Sequence, residues 1–207
     1  MVIAPLTDDD RARIAQAVAR AEALTSVELR LVLAQWSSHY GAFALIYSIL
    51  AALVGGGLAA AIRPGLDAAW LFMGEVALFV AALILLQWPA LRRALAPASV
   101  KRKAAWRHAR LHYASIGLRQ PHTHKLVLVF CSAAERYVEI LVDDAVAEKL
   151  PESAWQPVVG AFKTEIVRRH VVEAFVEAAN SCAAILAPVF PPEPGQESEL
   201  PDNLVEI

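Results

Sequence analysis

AFALIYSILAALVGGGLAAAI (Ala42–Ile62) and AAWLFMGEVALFVAALILLQWPAL (Ala68–Leu91) are separated by five residues, Arg63-Pro64-Gly65-Leu66-Asp67. Each run is about 20 residues or slightly longer, and at ~1.5 Å per helical residue it crosses a hydrocarbon core about 30 Å thick. Glu75 is the one charged residue in either run. A core helix of a soluble domain is rarely so long and so free of charge. The link is too short for anything but a reversal, so the pair reads as a transmembrane helical hairpin.

Outward from that stretch, the composition divides. Hydrophobic residues make up 57% of the 207-residue chain and the mean hydropathy is +0.44, much of it due to the two runs. About 160 residues lie outside them, enough for one soluble domain with its own core. The formal charge of −2 conceals an asymmetry. No acid occurs from Val76 to Ala134, while Arg92, Arg93, Lys101, Arg102, Lys103, Arg107, Arg110, Arg119 and Lys125 fall there. Acids outnumber bases from Glu135 onward. Cys131 and Cys182 sit in apolar runs and read as small buried hydrophobes, with no C-x-x-C motif. The first residues lack a basic region followed by an apolar one, which leaves the first span as the membrane-targeting signal.

Orientation follows from the positive-inside rule. The bases Arg92, Arg93, Lys101, Arg102, Lys103, Arg107 and Arg110 all follow the second span closely, whereas the turn offers only Arg63, offset by Asp67. Both termini are therefore expected in the cytoplasm and the turn outside. The expected organisation is a first domain segment at 1–36, the hairpin at 37–92 with spans at about 42–62 and 68–91, a second segment at 93–190, and an acidic, proline-containing tail at 191–207 whose composition predicts little packing.

Thr7 followed by Asp8-Asp9-Asp10 is a helix start, a cap with acids against the positive dipole end. Ile14, Val18, Ala21 and Leu24 continue it at helical spacing. Val27, Leu29, Leu31 and Leu33 alternate as in a strand. Ala51, Gly55 and Ala59 repeat at four-residue spacing, as do Gly56 and Ala60, which lets a second helix approach closely in lipid. Pro89 and Arg92-Arg93 are expected to end the second span. A basic helix from Pro97 to Leu118 is predicted with Val100, Ala104, Leu111, Ala114 and Leu118 on its apolar face. Leu126 to Phe130 reads as a strand buried on both faces, Tyr137 to Val142 as its partner across a tight turn, and Ser153-Ala154-Trp155-Gln156 as a capping box before a helix. Strands flanked by helices make an α/β domain, a small layered α/β/α unit with a short central sheet, interrupted by the hairpin.

Four groups carry candidate chemistry. Asp143 and Asp144, with Glu148 one turn on, are the densest acids near a strand end, and such oxygen ligands suit Ca2+ or Mg2+. A helix N-terminus welcomes the same acids without any metal. His108 and His112 are four apart on the basic helix, and His122 and His124 flank Thr123; with no third ligand in register, a structural or interfacial role is expected over zinc. Glu75, about two turns into the second span, is either a functional intramembrane carboxylate or one that snorkels toward Arg63. The basic residues Arg92, Arg93, Lys101, Arg102, Lys103, Arg107 and Arg110 suit anionic lipid headgroups. Nucleic acid is the other polyanion, but the stretch adjoins a membrane span and lacks interleaved aromatic platforms. No glycine-rich phosphate loop, nucleophile elbow or Ser/His/Asp pattern is present.

The order of these features resembles the TPM domain family, within it the bacterial membrane proteins that carry a transmembrane hairpin inside the domain. The resemblance rests on the strand Val27-Glu28-Leu29-Arg30-Leu31-Val32-Leu33, the helix ending Ser115-Ile116-Gly117-Leu118, the strand pair Leu126–Phe130 and Arg136–Ile140, the helix centred on Trp155, and the closing Phe190-Pro191 and Glu199-Leu200-Pro201-Asp202. It implies a compact α/β/α fold. Plastid relatives in that family are linked to photosystem II repair and to acid phosphatase activity, and some relatives bind calcium; the acids here that match are Asp143, Asp144 and Glu148. The expectation is a non-catalytic binding or assembly module at the cytoplasmic face of a bacterial inner membrane. Its partners would be the bilayer, anionic headgroups and another membrane or membrane-associated protein. The competing expectation is a Ca2+- or Mg2+-dependent phosphatase using Asp143 and Asp144.

Overall fold

A computed structural model describes residues 5–38, 40–119, 125–193 and 204–207. The chain forms two compact units: Met1–Ser37 with Arg102–Ile207, and the inserted stretch Ser38–Lys101.

The larger unit is built on a four-stranded mixed sheet of order β3-β2-β1-β4. Strand β1 (Glu28–Ala34) pairs in parallel with β2 (Leu126–Ser132), from Glu28 opposite Leu126 to Ala34 opposite Ser132. Strand β3 (Tyr137–Val142) runs antiparallel to β2. The two-residue β4 (Val205–Glu206) lies parallel to β1 on its other side. The last residues of the tail, expected not to pack fully, thus add a strand to the sheet. The residues Glu199 to Asp202 lie outside the described residues.

Period-two alternation sends successive strand residues to opposite cores. Val27, Leu29, Leu31, Leu33, Val127, Val129 and Cys131 face one cluster with α1 (Asp8–Glu22), α7 (Gln156–Val167) and α8 (Val171–Leu186). Val32, Ala34, Leu126, Leu128 and Phe130 face the second, with residues of α5 (Ala98–Arg119). All seven β2 residues are buried, as a strand covered on both faces must be. The result is the expected α/β/α layering.

Thr7 caps α1 through a reciprocal capping box with Asp10, satisfying two otherwise orphaned amides. Phe162 and Phe175 meet edge to face at 4.9 Å in the first core. Both cysteines are buried, which pushes each thiol up to about 12 and leaves them unreactive at neutral pH. The Ser153–Gln156 capping box does not form. A 3-10 turn, Glu152–Trp155, occupies that segment and no side chain caps it or α7.

The inserted unit holds α2 (Gly41–Ile62), α3 (Ala68–Leu86) and α4 (Pro89–Leu95). Helices α2 and α3 are both long and apolar enough to cross a membrane. The second is 19 residues, shorter than expected, because Pro89 opens a separate helix near its N-terminus; its missing N–H costs nothing there. Asp67 caps α3 by accepting from Ala69 N at 2.8 Å. The small residues of α2 do the work their spacing suggests. A Cβ on Gly55 would collide with Leu78, and one on Gly56 would lie 2.6 Å from Glu75 Cγ.

Phe175 is fully buried, and Phe175→Ala removes both its volume and the ring contact. We expect a loss of about 3–5 kcal/mol, read from chemical denaturation of the full chain in detergent micelles.

Candidate functional site

Helix α5 presents two unlike faces. Ala105, Ala109 and Ile116 are buried, with His108, His112 and Tyr113 half-buried beside them. On the opposite side Arg102, Lys103, Trp106, Arg107, Arg110 and Leu111 are exposed. The inner face is therefore not the predicted stripe of Val100, Ala104, Leu111, Ala114 and Leu118; the Leu118 side chain lies outside the described ones. Alanines spaced by four let the helix approach the sheet closely, and the half-buried histidines and tyrosine fill the flanks. Leu111 stands 64% exposed and Trp106 44%.

The seven predicted headgroup-binding bases divide between the two units. Arg92, Arg93 and Lys101 belong to the inserted unit and are only half-exposed. The Arg92 Nε is buried without a hydrogen-bond partner among the described residues, its guanidinium packed toward Gly41 of α2. Arg102, Lys103, Arg107 and Arg110 share the outer face of α5 with Trp106. The Arg110 guanidinium lies 4.8 Å from the Trp106 ring centre, a cation–π contact, and pairs with Glu139 at 3.5 Å. Arg102, Lys103 and Arg107 make no salt bridge with a described residue. Three bases and a part-neutralised fourth, around an indole, make a face suited to a polyanionic surface with an apolar layer beneath it.

The acids at the end of β3 have another role. The Asp143 Oδ1 accepts from Val146 N at 3.0 Å, capping the short helix α6 (Asp144–Ala147), and its Oδ2 accepts from Leu126 N at 3.1 Å. Both oxygens are thus engaged by backbone amides, one of them at the start of β2. Among the described residues no group of three or more His, Cys, Asp or Glu side chains gathers to hold a metal, so Asp143, Asp144 and Glu148 are not brought together as a Ca2+ or Mg2+ site. The expectation placed them at the ligand-binding end of the sheet. Because β3 is antiparallel, its carboxyl end lies beside the amino end of β2, the wrong end for that rule. Tyr113 on α5 feels these acids: burial and then the charges of Asp143 and Asp144 raise its phenol to about 12.

At the carboxyl ends of β1 and β2 stand residues that sequence reasoning missed. Ser37 and Ser132 Oγ are 2.8 Å apart, Glu135 accepts from Ser37 N at 3.1 Å, and Ser132 donates to the same carboxylate oxygen. Together with Ala133 N to Ala34 O at 2.9 Å, these bonds tie the two strand exits to the β2–β3 turn. These bonds make the cluster a staple between the two strand exits. Its partners are 95 and 98 residues apart in sequence, a separation that local pattern cannot reveal.

His108 packs edge-on against Phe130 at 5.6 Å, on the sheet side of α5. That is the structural role expected of it. His122 and His124 lie outside the described residues. Glu75 bends onto α2 rather than toward the turn, its carboxylate against Gly56. It lines a cleft of about 200 Å3 with Gly55, Ala59, Trp70, Gly74 and Leu78. No hydrogen bond or ion pair joins it to another described residue, Arg63 included, so the snorkelling contact is absent.

No family model matches the chain, and no curated protein sequence matches it. The structure is similar to the NMR structure of the BA42 protein from the psychrophilic bacterium Bizionia argentinensis, at 14% sequence identity and a TM-score of 0.59, covering 97% of this chain and 94% of that one. At that identity the likeness shows the mixed α/β fold alone.

Three substitutions test these assignments by stability. Asp143→Ala, which removes a cap and an inter-strand acceptor, should cost about 1–2 kcal/mol, and Asp144→Ala under about 0.5. Gly56→Val, which displaces Glu75, should cost about 1–3 kcal/mol by overpacking. Denaturation of the full chain in micelles reads all three.

Proposed function

We propose that the chain is a membrane-anchored binding or assembly module: α2 and α3 span the bilayer as a hairpin, and the α/β unit works at the cytoplasmic surface without catalysis. One observation carries this reading. The most apolar windows of α2 and α3 are only 11% and 6% buried. A soluble protein's core helix of that hydropathy would be covered, whereas here Leu53, Val54, Leu58, Phe72, Met73 and Ile84 are all exposed. Apolar surface on that scale needs lipid around it. The glycine contacts of α2 with α3 suit helix packing in lipid, where small residues replace the hydrophobic driving force.

The basic face of α5 fits the same reading. Each Lys or Arg near an anionic surface contributes on the order of 1 kcal/mol, so Arg102, Lys103 and Arg107 together favour anionic headgroups by roughly 3 kcal/mol. Trp106 adds the side chain that best tolerates the boundary between water and lipid. The excess of bases following α3 over those in the turn supports cytoplasmic termini. We retain the TPM-like arrangement and a bacterial inner-membrane location as part of the proposal. The phosphatase alternative finds no support in the acids of β3.

The test is topological. A reporter fused after Ile207 should give a cytoplasmic signal and a tag placed at Gly65 an external one; external signal at Ile207 would overturn the orientation. In reconstituted vesicles, brominated anionic lipid should quench a fluorescence component that Trp106→Phe removes, and Arg102→Glu with Arg107→Glu should abolish it. Equal quenching by zwitterionic lipid would deny the headgroup role.

A further inference from the structure

The edge of β1 is held by a segment that comes from the other end of the chain. Val32 and Leu33 pair with Val205 and Glu206. Gln35 N donates to Ile207 O at 2.9 Å and Ile207 N to Leu33 O at 3.0 Å. Side chains fix the register. Leu204 is buried in the core shared with α1 and α8, and Val205 packs on the opposite core beneath α5. The Glu206 carboxylate accepts from Arg11 Nε at 2.8 Å, and Arg11 is itself steadied by Asp8 at 2.9 Å.

Upstream the edge is closed: Leu29 N donates to Glu22 Oε1 at 2.8 Å. What remains is a short groove along Leu31–Gln35, with an apolar socket on each side of the sheet and a guanidinium beside it. The strand filling it has two paired residues, against about five or six for an ordinary strand. Few backbone bonds and one buried leucine place such an element at the low end of local stability.

We propose that this groove is a recognition site for an extended partner segment of apolar–apolar–acidic–apolar sequence, and that Leu204–Ile207 occupies it in cis as a displaceable strand. Strand addition of this kind draws affinity from the main-chain ladder and selectivity from alternate side chains. Leu204 and Glu206 supply two of those side chains on the core shared with α1, and Val205 supplies the third on the other. The site deepens the binding-module reading and rests on it only in kind: its failure would leave the topology and lipid results untouched.

The experiment uses the full chain in micelles and a labelled peptide of sequence Asp-Asn-Leu-Val-Glu-Ile, residues 202–207. The double variant Leu204→Asp, Val205→Asp empties the groove and should bind the peptide at least about tenfold more tightly than wild type, where the cis strand competes at high effective concentration. Adding Arg11→Glu should weaken that binding about tenfold, and Glu206→Lys in the peptide should restore it. In the wild-type chain, saturating unlabelled peptide should speed amide exchange at Val205 and Glu206 while leaving Leu128 and Phe130 unchanged. Absence of binding by the emptied variant, or equal binding by a scrambled peptide, would overturn the site, as would unchanged exchange in wild type. Dimers of wild type that Leu204→Asp abolishes would place a second copy in the groove and overturn the partner assignment.

Discussion

Parallel pairing of β1 with β2 is the constraint on which the other elements depend. Two parallel neighbours cannot be joined by a tight turn; the chain must leave one end of the sheet and return to the other. Here that crossover begins after Ala34 and ends at Leu126, and it contains α2, α3, α4 and α5. The hairpin is thus an insertion into a β-to-β connection, and α5 performs the duty of an ordinary crossover helix by covering one face of the sheet. Were the strands antiparallel, neither the length of the connection nor the buried alanines of α5 would be required. Seven residue pairs across the two strands give the sheet its centre, and the Ser37–Ser132–Glu135 staple closes it where the chain departs.

Most of the architecture was legible because it is written in periodicity. Residues alternating in β1, the uninterrupted β2 and the capped start of α1 are local signals, and each element appears within a residue or two of its reading. The two apolar runs were equally plain. What the sequence concealed depended on partners far away. Pro89 is compatible with ending one helix or opening another, and only the path of α4 decides. The inner face of α5 is built on the small alanines Ala105 and Ala109, flanked by His108 and Tyr113, because the helix sits close to Phe130 and Leu128; a search for large apolar residues therefore selects Leu111, which faces out. The last four residues read as tail because nothing local marks a two-residue strand; its meaning comes from Leu33 and Arg11.

The candidate acids show how strand direction overrides local chemistry. Asp143 lies at the carboxyl end of a strand, next to Asp144, and this is where a ligand site belongs in a parallel sheet. The antiparallel course of β3 places that end beside the amino end of β2, and the carboxylate is consumed in satisfying Leu126 N and Val146 N. An oxygen that already accepts a backbone amide has less to offer a hard cation, which needs six or more such ligands. Spacing alone cannot separate a cap from a ligand; the direction of one strand does.

The outer face of α5 poses the opposite problem, since three of its bases make no salt bridge with a described residue. Leu111 and much of Trp106 stand exposed, and isolated exposed hydrophobes are ordinary. Their neighbours change the weight of the observation. Arg102, Lys103 and Arg107 repel one another on a single face with no salt bridge to a described acid, while Glu139 pairs with Arg110. A polyanionic surface removes the repulsion, and a surface that is also apolar just beneath its charges rewards the indole and the leucine. Water meets the first need partly and the second not at all. In the membrane setting proposed above, an anionic bilayer meets both, and the helix carrying this face begins twelve residues after Leu86, the end of the second apolar helix.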